Sequence, residues 1–156
     1  MEVFYLSFVF EPLSEKDLEK CANLIVSSMG SQLLPIHRDK ETIKRLIYGA
    51  HALTLVGKKG DKIVGMISGA MLIPPSIGFL NVFDDQSARE GLGNQLIDKF
   101  LDTVKKQLPK APYVTTSLQT DNTAAISLYS ARGFTIEGFL KEGMMGKDVV
   151  FLRKKL

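Results

Sequence analysis

Cysteine is almost missing from this sequence: Cys21 is the single one in 156 residues. One thiol excludes an intrachain disulfide and a multi-cysteine metal site, and it fits a reducing compartment such as the cytoplasm. Excess charge is scarce as well. Lys and Arg number 20 against 17 Asp and Glu, a formal balance of +3, too weak for nucleic acid or a membrane surface to be the expected partner. No Lys or Arg precedes Lys16, and no small-residue cleavage site follows the apolar run at 3–10. That start reads as a buried strand, not a secretory signal. Internal repeats and low-complexity tracts are missing too. With 45% hydrophobic and 24% charged residues, the chain is neither disordered, collagen-like nor coiled coil. Its length leaves room for one packed domain, 1–156, and excludes a two-domain enzyme.

Residues 63–83 lack charge altogether and are nominally long enough to cross a bilayer. Pro74 and Pro75 interrupt them, and the flanking pieces are β-branched and glycine-containing, so two buried strands joined by a turn account for them.

What is present alternates between strand and helix. A strand over 3–11 leads to Ser14-Glu15-Lys16-Asp17, the spacing of a capping box. Leu18, Cys21, Ala22, Ile25 and Met29 then recur on one helical face, where Cys21 is a small core residue. A loop at 30–38 and a short helix from Asp39 or Lys40 follow. Strands at 51–56 and 62–73 flank the turn Lys58-Lys59-Gly60-Asp61, and another strand spans 77–83. Leu96, Ile97, Phe100, Leu101, Val104 and Leu108 mark the strongest helix of the chain. A strand at 113–118, a helix at 122–132 stopped by Gly133, and strands at 134–138 and 149–152 complete the order. Early antiparallel strands followed by strand-helix-strand units predict an α/β (α+β) domain with a mixed sheet and helices on both faces.

The chemistry is expected where a strand meets a helix. Ala88-Arg89-Glu90-Gly91-Leu92-Gly93-Asn94 joins a buried strand to the strong helix, and glycines one residue apart let backbone N–H groups face an anion at the helix start. The third glycine of a dinucleotide fingerprint is missing, as is the Gly-Lys-Ser/Thr of a triphosphate loop. A second constellation runs from Asn122 to Phe134. Positions 122, 125, 126 and 129 share one helix side, so an amide, small residues and the Tyr129 phenol can line one groove.

With these residues in place the sequence resembles the GNAT superfamily of acetyl-coenzyme A-dependent N-acetyltransferases. The similarity runs from Phe10-Glu11-Pro12-Leu13-Ser14 through the glycine loop to 122–134. It implies a mixed, mostly antiparallel sheet of six to seven strands with about four helices and a splayed strand at the cofactor site. In that family the loop reads Gln or Arg, two residues, Gly, one residue, Gly or Ala, and its amides hold the coenzyme A pyrophosphate. Gly91 and Gly93 match; the first position falls on Ala88, beside Arg89. The resemblance therefore assigns Arg89, Glu90, Gly91, Leu92, Gly93 and Asn94 to the pyrophosphate. It places Val82 and Phe83 at the end of the strand that pairs with pantetheine, Asn122 on the pantetheine arm and Tyr129 at the coenzyme sulfur. It implies direct attack of a primary amine on acetyl-CoA in a ternary complex, with Tyr129 as acid to the departing thiolate and no metal.

The base is less defined. Many relatives carry a Glu on the strand before the glycine loop, and residues 77–83 here hold no carboxylate. Asp84 is the first candidate, with Asp85, Glu137 and His51 behind it; a water-mediated base is the other route. The expected acceptor is a protein N-terminus, a polyamine or another small amine, served by a monomer or homodimer. The alternative reading is an acyl-CoA-binding sensor or interaction module without turnover.

Overall fold

The computed structural model describes residues 8–29 and 38–156; the expectations for 3–7 and for the loop at 30–37 fall outside it. In chain order the elements are β1 (Val9–Pro12), α1 (Glu15–Met29), α2 (Lys40–Ile47), β2 (Ala52–Lys59), β3 (Lys62–Ala70), β4 (Ser76–Val82), α3 (Asp85–Arg89), α4 (Leu92–Gln107), β5 (Tyr113–Gln119), α5 (Thr123–Ala131), β6 (Thr135–Met144) and β7 (Lys147–Lys155). The strands form one mixed sheet in the order β1-β2-β3-β4-β5-β7-β6. Every neighbouring pair is antiparallel except β4 with β5.

Each helix forms where its ends are satisfied and one face is apolar. Ser14 precedes α1 and its hydroxyl donates to Asp17 Oδ2 at 3.3 Å. The same carboxylate receives Lys58 Nζ at 2.7 Å, and Lys58 also reaches Glu11 at 2.5 Å. That hydrogen bond from Lys58 holds the Asp17 carboxyl below the usual carboxylate range and ties the start of α1 to β2. Asp39 caps α2, accepting the Thr42 N–H at 3.0 Å. Cys21, Ala22 and Ile25 of α1 and Ile43 and Ile47 of α2 then bury against Val56, Ile63 and Met66 on one face of the sheet. On the other face, Leu92, Leu96, Ile97, Phe100 and Val104 of α4 pack at three- and four-residue spacing on Leu53, Leu55, Val64 and Ile67.

The structure departs from the sequence expectations in three places. β2 runs through Lys59 and β3 starts at Lys62, so the turn is only Gly60-Asp61. The stretch after β4 contains α3, whose five residues are too few to leave a periodic signal. The 141–147 segment is mostly strand: β6 extends to Met144 and β7 begins at Lys147, with Met145 (φ +53°) and Gly146 (φ +72°) between them. Two successive positive φ values suit a two-residue hairpin turn, which a Met-Gly pair does not advertise.

Two features of β4 create a cleft. Ser68 pairs with Phe79 and Gly69 with Ile77, leaving Gly78 as the extra residue of a bulge. Beyond it, β4 and β5 part company: their parallel pairing consists of Ser76 with Thr115 and Ile77 with Thr116 only. β4 stays paired to β3 as far as Val82 and β5 to β7 along its length. The sheet therefore opens into a V at the C-terminal ends of its two parallel strands, where ligands bind in open α/β sheets.

Candidate active site

The vertex of the V lies at Ile77 and Thr116, and the cleft above it encloses about 390 Å³. One wall is β4. Phe83 donates its N–H to Val64 at 2.8 Å, and in an antiparallel ladder hydrogen-bonded and non-bonded pairs alternate. Leu80, opposite Ile67, and Val82, opposite Gly65, are then the non-bonded positions. Their backbone groups turn toward the side that β5 has left. The Val82 side chain packs on the α4 core and Phe83 on the opposite one.

At the far end of β4 the chain turns through α3 into α4. Asp84 caps α3, accepting the Ser87 N–H at 2.7 Å and its hydroxyl at 3.0 Å; the backbone bond holds its carboxyl below the usual range. Arg89 ends α3 and is exposed. Glu90 takes Lys59 Nζ at 2.9 Å and Gln86 Nε2 at 2.8 Å, a clamp between the loop and the β2–β3 turn. Gly91 caps α4 in the left-handed region, φ +81°, with no side chain to satisfy the helix start. A Cβ at Gly91 would meet nothing within 4 Å, so its backbone faces open space. Gln95 bonds back to the Gly91 carbonyl, and among the described residues none accepts the N–H groups of Leu92, Gly93 or Asn94. Free N–H groups at the start of a 16-residue helix form a natural anion seat. Asn94 adds a buried side-chain oxygen without a partner among the described residues.

The other wall joins β5 and α5. Asn122 caps α5, its amide oxygen accepting the Ala125 N–H at 3.2 Å. Asn122, Ala125 and Tyr129 all line the cleft, one helical side as their spacing requires. Tyr129 is only 2% exposed, with Phe134 edge-on at 5.1 Å between ring centroids. Burial pushes its phenol well above the usual tyrosine range, and the Thr116 hydroxyl opposes that rise. The phenol is therefore protonated at neutral pH, and the same burial makes it a weaker acid than a free thiol.

The sequence family model for the Acetyltransferase (GNAT) family matches residues 19–134. The chain belongs to that family. Solved structures similar to it include the ribosomal-protein-S18-alanine N-acetyltransferase from Escherichia coli, at 17% identity and TM-score 0.78, covering 96% of this chain and 94% of that one. NAA60 from Arabidopsis thaliana in complex with acetyl-CoA aligns at 15% identity and TM-score 0.80, covering 96% and 99%. Spermidine N-acetyltransferase from Vibrio cholerae, in complex with CoA and spermine, aligns at 17% and 0.77, covering 95% of each. No curated protein sequence matches the chain. The GNAT fold expected from the sequence is the observed one: a seven-stranded, mostly antiparallel sheet splayed at β4, with five helices among the described residues where about four were expected.

Around this GNAT cleft the carboxylates considered as bases stand elsewhere. Asp84 is engaged with Ser87, Asp85 lies in the first turn of α3, and Glu137 on β6 pairs with Arg153 at 3.3 Å. His51 lines a recess of about 290 Å³ that shares Leu46, Gly78 and Phe79 with the main cleft. Among the described residues, the main cleft is lined without any charged side chain. Met29 ends α1, Leu46 lies on α2, Phe79 on β4 and Met144 on β6, and together they give it an apolar side. Met29, Leu46, Phe79 and Thr116 went unread as cleft residues in the sequence. Nothing in their spacing singles them out, because four separated elements, α1, α2, β4 and β5, bring them together. Among the described residues, no helix is long and apolar enough to cross a membrane.

Proposed function

We propose that this GNAT domain, taken as spanning 1–156, is an N-acetyltransferase that moves the acetyl group of acetyl-CoA to a primary amine by direct attack in a ternary complex. One arrangement carries the reading: a V-shaped cleft with β4 backbone on one wall and the Tyr129 phenol on the other, and, past the end of β4, a helix start with free N–H groups. The α4 start, Gly91 to Asn94, suits the pyrophosphate of coenzyme A. Leu80 and Val82 offer backbone partners for the amides of the pantetheine arm, with Asn122 opposite. The thioester then lies near Gly78 and Tyr129. The amine attacks as a neutral nucleophile, a β4 backbone N–H steadies the oxyanion, and Tyr129 protonates the leaving sulfur.

The acceptor side narrows the choice of amine. A polyamine carries further positive charges that call for carboxylates, and the walls at Met29, Leu46, Phe79 and Met144 supply none. An amine attached to an apolar, uncharged group fits them, as in a peptide with an apolar N-terminal residue. With no base among the described residues of the walls, a neutral amine reaches the thioester after losing its proton to water. The test is thiol release from acetyl-CoA with a panel of amines. Peptides with apolar N-termini are expected to exceed spermidine by about tenfold or more in kcat/KM, the order of one unmet charge contact. The reverse ranking removes the apolar-acceptor reading. Coenzyme A binding without release for any amine turns the protein into a non-catalytic acyl-CoA module.

That assay has a clean background. Cys21 is fully buried, and burial pushes its thiol up to about 12. The folded protein is expected to react with a disulfide reagent at pH 8 at least ~100-fold more slowly than a free thiol. A fast stoichiometric burst from protein alone would contradict this; unfolding in urea should release it.

A further inference from the structure

The start of α4 is an odd place for negative charge, yet the chain puts it there. From Asp84 to Asn94 the sequence carries Asp84, Asp85 and Glu90 against Arg89 alone, and this is the stretch read above as the seat of a pyrophosphate. Asp84 and Asp85 lie at the far end of α3, where Asp84 is engaged by the Ser87 N–H and hydroxyl. Glu90 is the carboxylate that matters, because it directly precedes Gly91, the N-cap of α4. A like charge one residue from the free N–H groups weakens their hold on an anion.

Lys59 meets that charge from a different element. Its Nζ stands 2.9 Å from Glu90 Oε2 and 3.1 Å from Oε1, while Gln86 Nε2 donates to Oε1 at 2.8 Å. Both carboxylate oxygens are thus engaged on the side of the β2–β3 turn. The Lys59 and Glu90 side chains are 25% and 20% exposed, and the Phe8 ring flanks the ammonium at 5.6 Å to its centroid. Lys59 is also the last residue of β2, directly opposite Lys62. Like charges facing each other across a hairpin are unfavourable, so strand pairing gives no reason for a cation there; Glu90 does. An ion pair of this kind adds little to stability. Its consequence lies in where it cancels charge.

We propose that Lys59 is the counter-charge of the phosphate seat: by pairing with Glu90 it makes the residue before Gly91 electrically neutral, so that the N–H groups at 92–94 receive an anion unopposed. The inference rests on the reading of the α4 start as the pyrophosphate seat of coenzyme A. Lys59 acts through Glu90 and is a positioning residue that need not touch the ligand.

The experiment is a calorimetric titration of coenzyme A into the parent, Lys59→Met, Lys59→Arg, Glu90→Gln and the double variant Lys59→Met/Glu90→Gln, in about 50 mM salt, where screening is weak. Lys59→Met is expected to weaken Kd by about 5–10-fold, the scale of one uncompensated like charge near a protein surface. Lys59→Arg keeps the charge and should stay within about threefold of the parent. Glu90→Gln leaves Lys59 unopposed and should tighten Kd by about 2–5-fold. With both charges gone, the double variant should return to within about threefold of the parent, a strongly non-additive cycle. A lysine that merely tethers the loop, or one that bonds the phosphates directly, leaves the double variant as weak as Lys59→Met. Either result overturns the proposal, as does a Lys59→Met protein with parental affinity. If the parent binds no coenzyme A, the pyrophosphate reading fails first and takes this inference with it; a parent that binds beside an equally tight Lys59→Met defeats the Lys59 role alone.

Discussion

Tyr129→Phe is expected to lower kcat by about 10²–10³-fold while leaving the affinity for acetyl-CoA within about threefold. The ring stays: its edge-on contact with Phe134 at 5.1 Å and its burial survive the change, so packing loss is small and only the phenol hydroxyl is removed. General acid catalysis by a positioned side chain contributes about 10²–10⁴-fold; the lower part of that range applies because a thiolate is a better leaving group than an alkoxide or an amide nitrogen. In the proposed complex binding is held elsewhere, by backbone at β4 and at the start of α4. Single-turnover kinetics with acetyl-CoA, alongside a direct binding isotherm, separate the two quantities. Equal turnover in variant and parent contradicts the role. A matched loss of binding and turnover shows a packing residue instead.

The second large effect is on stability. Gly69→Ala is expected to cost about 3 kcal/mol or more, beyond the ordinary range for overpacking. A Cβ at Gly69 would drive into the Ser76 carbonyl and stand 2.7 Å from Phe100 Cζ. Neither obstacle yields cheaply. Phe100 is fully buried in the α4 core. Ser76 is held from the other side by its pairing with Thr115, while Thr115 donates to Pro75 at 3.1 Å. Relief would come by lifting the start of β4 off β3, and with it the bulge at Gly78. For a chain of this size a loss of 3 kcal/mol corresponds to a Tm fall of roughly 6–12 °C, readable by thermal denaturation. Gly60→Ala, at a turn where a Cβ meets nothing within 4 Å, is the control for the conformational cost alone. A Gly69→Ala protein that melts with the parent would mean that the strands slide freely here.

Elements with long apolar periodicity could be read directly. The face of α4, from Leu92 to Val104, and the buried Cys21 face of α1 follow from spacing, and the mixed sheet from the early hairpin and the later strand-helix-strand units. Short elements could not: α3 is carried by the Asp84 cap, which a run of polar residues hides, and the β6–β7 turn rests on a positive φ at Met145. The candidate site divides in the same manner. Gly91 to Asn94 and Asn122 to Tyr129 are contiguous, so their pattern is visible in one dimension. The wall of Met29, Leu46, Phe79 and Met144 comes from α1, α2, β4 and β6, and Thr116 is one β-former among several in β5. Their common location is a property of sheet order, and no local rule encodes it.

The parting of β4 from β5 has one more consequence. Strand edges are normally at the rim of a sheet, where charge, proline or bulges protect them from unwanted pairing. This sheet carries two further edges in its middle, held together by two rows of pairing. A ligand with amide groups in an extended arm behaves there as a short extra strand. In the proposed complex acetyl-CoA is in that sense a missing strand as well as a reactant, and each turnover would end with the sheet losing a member.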